Sequence, residues 1–599
     1  MKKARQTFCK HVQLGICNIL EVEENMSYQQ TVSKWFTFEG IEPKLKTQLE
    51  EMKDKESLLE DAFYKNLEFG TGGMRGELGP GTNRMNVYTI RKASLGFAYY
   101  IKSFGGEAKK RGVVIAYDCR HNSDVFALEA AKTLATEGIK TYIFKNLRPT
   151  PELSFAVREL NAFGGIVITA SHNPPEYNGF KVYGEDGAQH PPVEADKIIS
   201  YVNSIQDELT IPVTDEVELE NKGLITWIES DIDEAYLSAL SSVTFSDYVD
   251  KDISIVFTSL HGTAVTVAPE ALKRAGYTNV HLVEKQCIPD SNFSTVKSPN
   301  PEEHSAFKEA IALGKEVNGD VLIATDPDAD RLGIAVKDQT GEYRILTGNQ
   351  TGGLFLDYIL RNITIPQNAK VFKTIVTSEF GRAVANHFSV ETEDVLTGFK
   401  FIAEKIKQLE DNNSGEFLFG YEESYGYLIK DFARDKDAIQ AVLLAAEVAG
   451  FYKKRNMTMY EGLVEAFEKY GFYLEGLHSV TLKGKEGTEI ISSTMNHFRK
   501  NPITKLNGHN VEIIEDYETS VKLNLTEGSK EEISLPKSNV IKFICDNGAW
   551  VCLRPSGTEP KIKFYFGVCE NSLEQSVVAL EQLKEDFINK VEAILNANR

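Results

Sequence analysis

The chain has 599 residues, 87 of them acidic and 66 basic, giving a formal charge of −21, so nucleic-acid phosphates and anionic lipid are repelled unless positive charge is gathered locally. With 42% hydrophobic, 26% charged and 10% aromatic residues, the composition excludes a disordered, collagenous or low-complexity chain. The length predicts roughly three or four domains rather than a single core.

The first residues hold Lys2, Lys3 and Arg5, but the apolar stretch from Leu14 to Leu20 is short, and Glu21, Glu23 and Glu24 stand where a signal-peptide cleavage site would be. Residues 1–25 therefore read as either a dispensable extension or an upstream start ahead of Met26, and 1–45 as an N-terminal extension plus a helix. The seven cysteines are scattered and form no C-x-x-C pair, which points to a reducing cytoplasm. The best apolar run, Ala438 to Ala446, stops at Glu447, too short for a membrane span.

From 46 to 245 the pattern is alternating α/β. Val113–Tyr117 reads as a buried strand, followed by a helix capped by Ser123 with Val125, Leu128, Ala131 and Leu134 on its apolar side, ending at Gly138. Strands follow at Thr141–Phe144 and Gly165–Thr169. The alternation recurs in 246–360, with strands Ile253–Phe257, Val280–Val283 and Val321–Thr325 and helices Pro269–Ala275 and Glu302–Val317. It recurs again in 361–470, where a strand at Val371 precedes the helix Phe399–Leu409, the strand Glu416–Phe419 and the long helix Ala438–Tyr452. From 471 to 599 strands cluster at Val511–Ile514, Val540–Ile544, Trp550–Leu553 and Lys561–Phe566 before a closing helix, an α+β pattern. The predicted fold is three similar mixed α/β domains plus a C-terminal α+β domain.

Chemistry gathers at strand ends. Asp326, Asp328 and Asp330 in T-D-P-D-A-D-R follow an apolar strand, so three carboxylates converge there, and an all-oxygen set favours magnesium. A plain acidic turn would read the same way. An EF-hand is excluded by Arg331 and Lys337 where that loop needs Gly and Glu. In T-A-S-H-N-P-P, a strand delivers Ser171 into a turn stiffened by Pro174 and Pro175, a candidate nucleophile outside any G-x-S-x-G elbow. With His172 and Lys181 beside the aspartates, the set would suit a phosphate held between metal and cations. R-P-S-G-T-E-P-K, from Arg554 to Lys561, offers a forked cation, hydroxyls and an open backbone for phosphate, and equally suits a hairpin turn. F-G-T-G-G-M-R-G presents Arg75. G-Y-E-E-S-Y-G presents Glu422 and Ser424, which could bond sugar hydroxyls.

Taken in order, the loops T-A-S-H-N-P, D-P-D-A-D-R, G-Y-E-E-S and R-P-S-G-T resemble those of the α-D-phosphohexomutase superfamily, closest to the phosphoglucomutases of Gram-positive bacteria, from about Met26 to the C-terminus. The resemblance implies that these domains surround a central active-site cleft, with a phosphoserine at Ser171 and one Mg2+ held by Asp326, Asp328, Asp330 and the phosphoryl group on Ser171. Glu422 and Ser424, with Thr397, Gly398 and Lys400, would recognise sugar hydroxyls, although Phe399 stands where some relatives carry tryptophan. Arg554, Ser556, Gly557 and Thr558 would hold the non-reacting phosphate, Arg75, His172 and Lys181 would surround the transferring one, and Arg331, directly after the metal aspartates, would bind substrate. Tyr425, Gly426 and Tyr427 replace the histidine of phosphomannomutase-type relatives, so acid–base duty falls to Lys436 with Lys181. The implied reaction interconverts α-D-glucose 1-phosphate and glucose 6-phosphate, with glucose 1,6-bisphosphate as intermediate and activator. A phosphomannomutase or phosphopentomutase, a metal-dependent sugar phosphatase, and a non-catalytic phosphosugar sensor are the alternatives. Hexose phosphates are the expected partners, with neither nucleic acid nor membrane, and oligomeric state is not predicted.

Overall fold

The computed structural model describes residues 28–70, 72–482, 484–556 and 561–597. The expectations for residues 1–25, and those for Gly557 and Thr558, lie outside the described residues.

The first sheet orders its strands β1 (Met74–Glu77), β5 (Tyr177–Tyr183), β4 (Gly164–Ile168), β2 (Val113–Tyr117), β3 (Thr141–Phe144) and β6 (Ile225–Ile228). Strands β4, β2, β3 and β6 are parallel and the first three are almost entirely buried, as expected of a sheet covered by helices on both faces, whereas β6 lies at the partly buried edge and β5 and β1 return antiparallel. The second sheet orders β11 (Tyr343–Ile345), β10 (Leu332–Lys337), β9 (Val321–Thr325), β7 (Ile255–Thr258) and β8 (Val280–Leu282), again parallel except for its last two strands in sequence. The third orders β13 (Glu391–Val395), β12 (Ala369–Thr374), β14 (Glu416–Glu422) and β15 (Gly426–Leu428), with β15 antiparallel. In all three, a parallel strand turns sharply into an antiparallel neighbour at its carboxyl end, where ligands of open α/β sheets collect. Those turns are the β4–β5, β9–β10 and β14–β15 connections.

The C-terminal sheet is antiparallel. Its path runs β16 (Phe472–Thr481), β23 (Lys561–Glu570), β22 (Trp550–Pro555), β21 (Ile541–Cys545), β18 (His509–Asp516), β19 (Val521–Asn524) and β20 (Lys530–Glu532), while β17 (Lys505–Leu506) pairs with β18. The helix Leu573–Ala597 packs on it. One continuous apolar core joins the first three domains through the helix Ala438–Lys454, most of whose length is buried. The fourth domain has its own core. Its contact with the third is a smaller cluster in which Ile375, Val376 and Leu396 meet Tyr517, Trp550 and Tyr565. Near the N-terminal end, the helix Tyr28–Thr37 docks Trp35, fully buried, edge-on to Phe63 and Tyr88.

Two local expectations are corrected. Ser123 does not cap its helix: the N-cap is Asn122 at φ +63°, while the Ser123 hydroxyl donates to Asp118 at 2.8 Å. That helix, Ser123–Thr136, buries Phe126, Ala127, Ala130, Ala131 and Leu134, and leaves Val125 47% exposed. The predicted helix Glu302–Val317 is a 3-10 turn, His304–Phe307, followed by Lys308–Val317, because the segment before it closes on i→i+3 bonds, Glu303 N–H to Asn300 O and Ala306 N–H to Glu303 O, each at 3.0 Å.

Candidate active site

The hairpin after β4 carries Ser171, which is buried at 4% exposure and held at φ +50°. A non-glycine residue in that region is sterically costly and persists only where its surroundings impose it. Ala329 in the β9–β10 turn (φ +55°) and Tyr425 in the β14–β15 turn (φ +66°) share this conformation. The three turns therefore carry the same local strain, as functional turns on rigid sheets often do.

The Ser171 hydroxyl donates to Asp326 Oδ2 at 2.7 Å and lies 3.1 Å from His172 Nδ1. Asp326, Asp328 and Asp330 are 0%, 0% and 3% exposed, and one oxygen from each lies within 4.8 Å of the others. Their packing is enforced locally: the backbone N–H groups of Asp330 and Arg331 donate to Asp326 Oδ1 at 3.1 and 2.9 Å. A neighbouring domain-2 loop closes the other side, where a Cβ on Gly262 would meet the Pro327 backbone at 2.3 Å and Thr263 N–H donates to Pro327 O at 2.8 Å.

Two lysines from different domains answer the carboxylates. Lys181 on β5 lies 2.8 Å from Asp328 and 3.6 Å from Asp330, and Lys436 lies 3.2 Å from Asp330 and 3.0 Å from Asp435. Burial opposes the charge on Asp328, but Lys181 outweighs it and holds the carboxyl below its ordinary range. Asp330 is lowered in the same way: burial and Asp328 oppose its charge, and Lys436 and Lys181 outweigh them. Asp326, without such a partner, is pushed well above its ordinary value by burial and by the two neighbouring carboxylates. Both lysines are raised, because the carboxylates around each outweigh its burial. Asp328 Oδ1 and Asp330 Oδ1 are buried without a hydrogen-bond partner. Buried, clustered and partnerless carboxylate oxygens are what a hard divalent cation requires, so these residues fit a metal.

Above this cluster opens a cleft of about 730 Å³ lined from all four domains. His172, Arg331 and Lys436 form the wall nearest the serine and the aspartates. His172 is held well below its ordinary pKa by burial and by Arg331 and Arg75, and so stays neutral. Arg331 is ion-paired with Glu302 and lies 3.8 Å from Asp330. Arg75, beside the cleft on β1, donates to Asn173 at 2.9 Å. Domain 3 contributes Thr397, Gly398, Phe399 and Lys400 with Glu422, Glu423 and Ser424. Gly398, at φ +121°, donates its N–H to Glu422 Oε1 at 2.8 Å, so the two sugar-recognition segments are tied together. Thr397 Oγ1 is buried without a partner. Domain 4 contributes Arg554, Lys561, Lys563 and Tyr565, with Arg554 Nη1 3.5 Å from the Tyr565 hydroxyl and Ser556 N–H closing the β22–β23 hairpin on Lys561 O at 2.7 Å. Six Lys and Arg side chains line the cleft against four Glu, so a chain of charge −21 presents a basic pocket here.

The structure thus brings Ser171, His172, Lys181, the three aspartates, Arg331 and Lys436 together, with Thr397, Gly398, Lys400, Glu422, Ser424 and Arg554 across the cleft. Sequence reasoning missed Asp118, Arg120, Asp435, Glu302 and Lys563. The alternation K-I-K at 561–563 puts both lysines on one face of β23 and was legible. Arg120 and Glu302 act through contacts with distant segments and carry no local signal.

The chain belongs to the phosphoglucomutase/phosphomannomutase family: its alpha/beta/alpha domains I, II and III match residues 66–209, 234–341 and 347–470, and its C-terminal domain matches 505–596. It is an enzyme of the isomerase class, an intramolecular phosphotransferase, and the family is generally metal-dependent. It is 42% identical over 513 residues to a phosphoglucomutase of Staphylococcus aureus strain MSSA476, covering 85% of this chain and 91% of the relative, and 42% identical over 506 residues to that of strain MRSA252, covering 84% and 90%. Among solved structures, the phosphoglucomutase pp63/parafusin from Paramecium in an open form has the same fold, with TM-score 0.65, 19% identity and 89% and 95% coverage. So has a phosphoglucomutase/phosphomannomutase family protein from Burkholderia thailandensis, with TM-score 0.62, 18% identity and 88% and 97% coverage. Among the described residues, no helix is long and apolar enough to cross a membrane.

Proposed function

We propose that the protein interconverts α-D-glucose 1-phosphate and glucose 6-phosphate through a phosphorylated Ser171 and a glucose 1,6-bisphosphate intermediate. The observation that carries this reading is the 2.7 Å contact between the Ser171 hydroxyl and Asp326 at the foot of a four-domain basic cleft. A phosphorylatable hydroxyl beside a carboxylate cluster suits transfer in and out of one position.

Arg554, Lys561 and Lys563 grip the non-reacting phosphate, and Glu422 and Ser424 meet the sugar hydroxyls between the two ends. The free sugar hydroxyl attacks the phosphorus of phosphoserine, the bond to Ser171 Oγ breaks, and the resulting bisphosphate turns around and returns its other phosphate to Oγ. Lys181 and Lys436 carry the acid–base duty: a lysine passes its proton to Ser171 Oγ as the bond to phosphorus breaks, and the resulting amine takes up the proton that the attacking hydroxyl releases, so that both lysines end charged, as the carboxylates around them favour. His172, kept neutral, faces Oγ. Mg2+, bound by Asp326, Asp328 and Asp330, would offset the charge that phosphoserine, about −1.5 to −2, adds beside three aspartates. The fourth domain, joined through Gly471 at φ +115°, closes the cleft against water, which would otherwise hydrolyse phosphoserine. A cytoplasmic setting suits the free thiols of Cys119, Cys287, Cys545, Cys552 and Cys569.

The test is Ser171→Ala. Intact-mass analysis should show one phosphate on the wild type and none on the variant, and mutase turnover should vanish while glucose 1-phosphate still binds. Bisphosphate-stimulated turnover near wild type in the variant would refute it. Comparing kcat/KM for glucose, mannose, glucosamine and ribose 1-phosphates, with and without glucose 1,6-bisphosphate, tests the choice of sugar.

A further inference from the structure

Arg120 follows strand β2 and its side chain is fully buried, yet it belongs to none of the four loops. Its guanidinium reaches into the serine loop and donates to four backbone carbonyls there: Nη2 to Ser171 O at 2.6 Å and to Asn173 O, and Nη1 to Pro174 O at 2.8 Å and Tyr177 O at 3.0 Å. Asp118, equally buried, faces Nε at 3.4 Å. Asp118 is itself anchored by the Arg120 N–H and the Ser123 hydroxyl. The guanidinium carbon lies over the ring of Phe293, a domain-2 residue, 4.9 Å from its centroid, an arrangement that favours a cation.

We propose that Arg120, held by Asp118 and seated on Phe293, is the positioning residue that keeps Ser171 aimed at the carboxylate cluster. The inference rests on the reading of Ser171 as the phosphoryl carrier. Ser171 sits at a sterically costly φ of +50° and must project its hydroxyl across a domain boundary to Asp326. Ser171 N–H to Thr169 Oγ1 at 2.8 Å, Asn173 N–H to Ala170 O at 3.1 Å and Arg75 to the Asn173 side chain at 2.9 Å hold separate points and do not set the direction of the whole loop. Four carbonyls bound to one rigid, planar fork do, because the fork has fixed donor directions and no acceptor chemistry of its own. The contact with Phe293 carries the same registration to domain 2, so the serine and the aspartates are located by one side chain. Lysine offers a compact charge without the fork. It keeps the local charge and loses the geometry, which separates positioning from electrostatics.

The experiment uses the full-length enzyme with Arg120→Lys, Arg120→Ala and Phe293→Ala, measuring kcat and KM for glucose 1-phosphate, melting temperature, and the rate at which Ser171 takes up phosphate from glucose 1,6-bisphosphate by intact mass. Wild type is the control for the underlying reading: a wild type that neither takes up phosphate nor turns over rejects the mutase, whatever the variants do. With an active wild type, Arg120→Lys is expected to lower kcat and the phosphate-uptake rate together by about 100-fold while KM stays within about threefold, since Glu422 and Arg554 still hold the ligand. Phe293→Ala, which spares every hydrogen bond of Arg120, is expected to lower both by about three- to tenfold. Added methylguanidinium should restore part of the lost uptake rate to Arg120→Ala. Arg120→Lys with kcat within threefold of wild type, or a fall in kcat matched by an equal rise in KM, would overturn the proposal. If Arg120→Lys does not fold, the Phe293→Ala result decides: unchanged uptake rate overturns it.

Discussion

Replacing Asp328 by asparagine keeps the shape of the side chain and removes one negative charge from the centre of the carboxylate cluster. Asp328 accepts from Lys181 at 2.8 Å and faces Thr150 Oγ1 at 3.3 Å, while its other oxygen has no partner. The lysine keeps a hydrogen bond from its charged ammonium but loses the anionic partner, which costs on the order of 1 kcal/mol. Relief of repulsion with Asp326 and Asp330 offsets part of that, and Lys181 still has Asp330 at 3.6 Å. The fold should therefore survive with a small change in melting temperature in the absence of metal. Metal affinity should suffer more, because the unpartnered oxygen becomes an amide atom and the ligand set loses one of three charges. Loss of groups that merely support a ligand lowers affinity about 10- to 100-fold, so loss of a ligand charge should raise the Mg2+ concentration for half-maximal turnover by at least that much. The assay is initial rate against Mg2+ concentration, paired with thermal melts in EDTA and in excess Mg2+. A Mg2+ requirement unchanged within threefold would refute the metal assignment, and a collapsed melt in EDTA would show that Asp328 is structural.

Arg554→Lys retains the charge but not the two-pronged grip, and should raise KM for glucose 1-phosphate about tenfold, with kcat less affected; an unchanged KM would remove Arg554 from phosphate binding. Gly179→Ala would place a Cβ 2.4 Å from Thr169 O and 3.0 Å from Met74 O, both backbone atoms, so β5 must shift and carry Lys181 with it; destabilisation of about 1–3 kcal/mol is expected in denaturant melts, and an unaltered melt would show that the strand yields freely. Asp437, fully buried, is pushed up to about 6 by burial, which outweighs its hydrogen bonds from Gln440 and Tyr236. Its folded value lies above its unfolded one, so its contribution to stability is complete below about pH 4 and is lost as pH rises through 6, about 3 kcal/mol in all. The stability difference between wild type and Asp437→Asn should therefore fall across that window, and a constant difference would show that Asp437 does not titrate there.

The sequence by itself determined the local events. Strand β9 was legible to the residue, because an apolar run ending in an acid turn is a short-range pattern, and the loops at Ser171, Asp326, Glu422 and Arg554 stood out because turn chemistry is local. It did not show that each of the first three is a hairpin with a non-glycine residue at positive φ, since that strain is imposed by contacts from outside the turn, such as Arg120 on the serine loop and Tyr425 O accepting from Leu332 N–H at 3.0 Å. The antiparallel return strand β15 was missed because G-Y-L is too short to show a period. Which cation meets which anion was equally out of reach: Lys181 and Asp328 are 147 residues apart, and Lys436 and Asp330 are more than 100 apart. Their pairing depends on three separate sheets docking on the helix Ala438–Lys454, and only that packing buries the carboxylates deeply enough to leave two oxygens without partners. Residue type and spacing are written along the chain, whereas burial and the charges that face a group across domains exist only once the chain has folded.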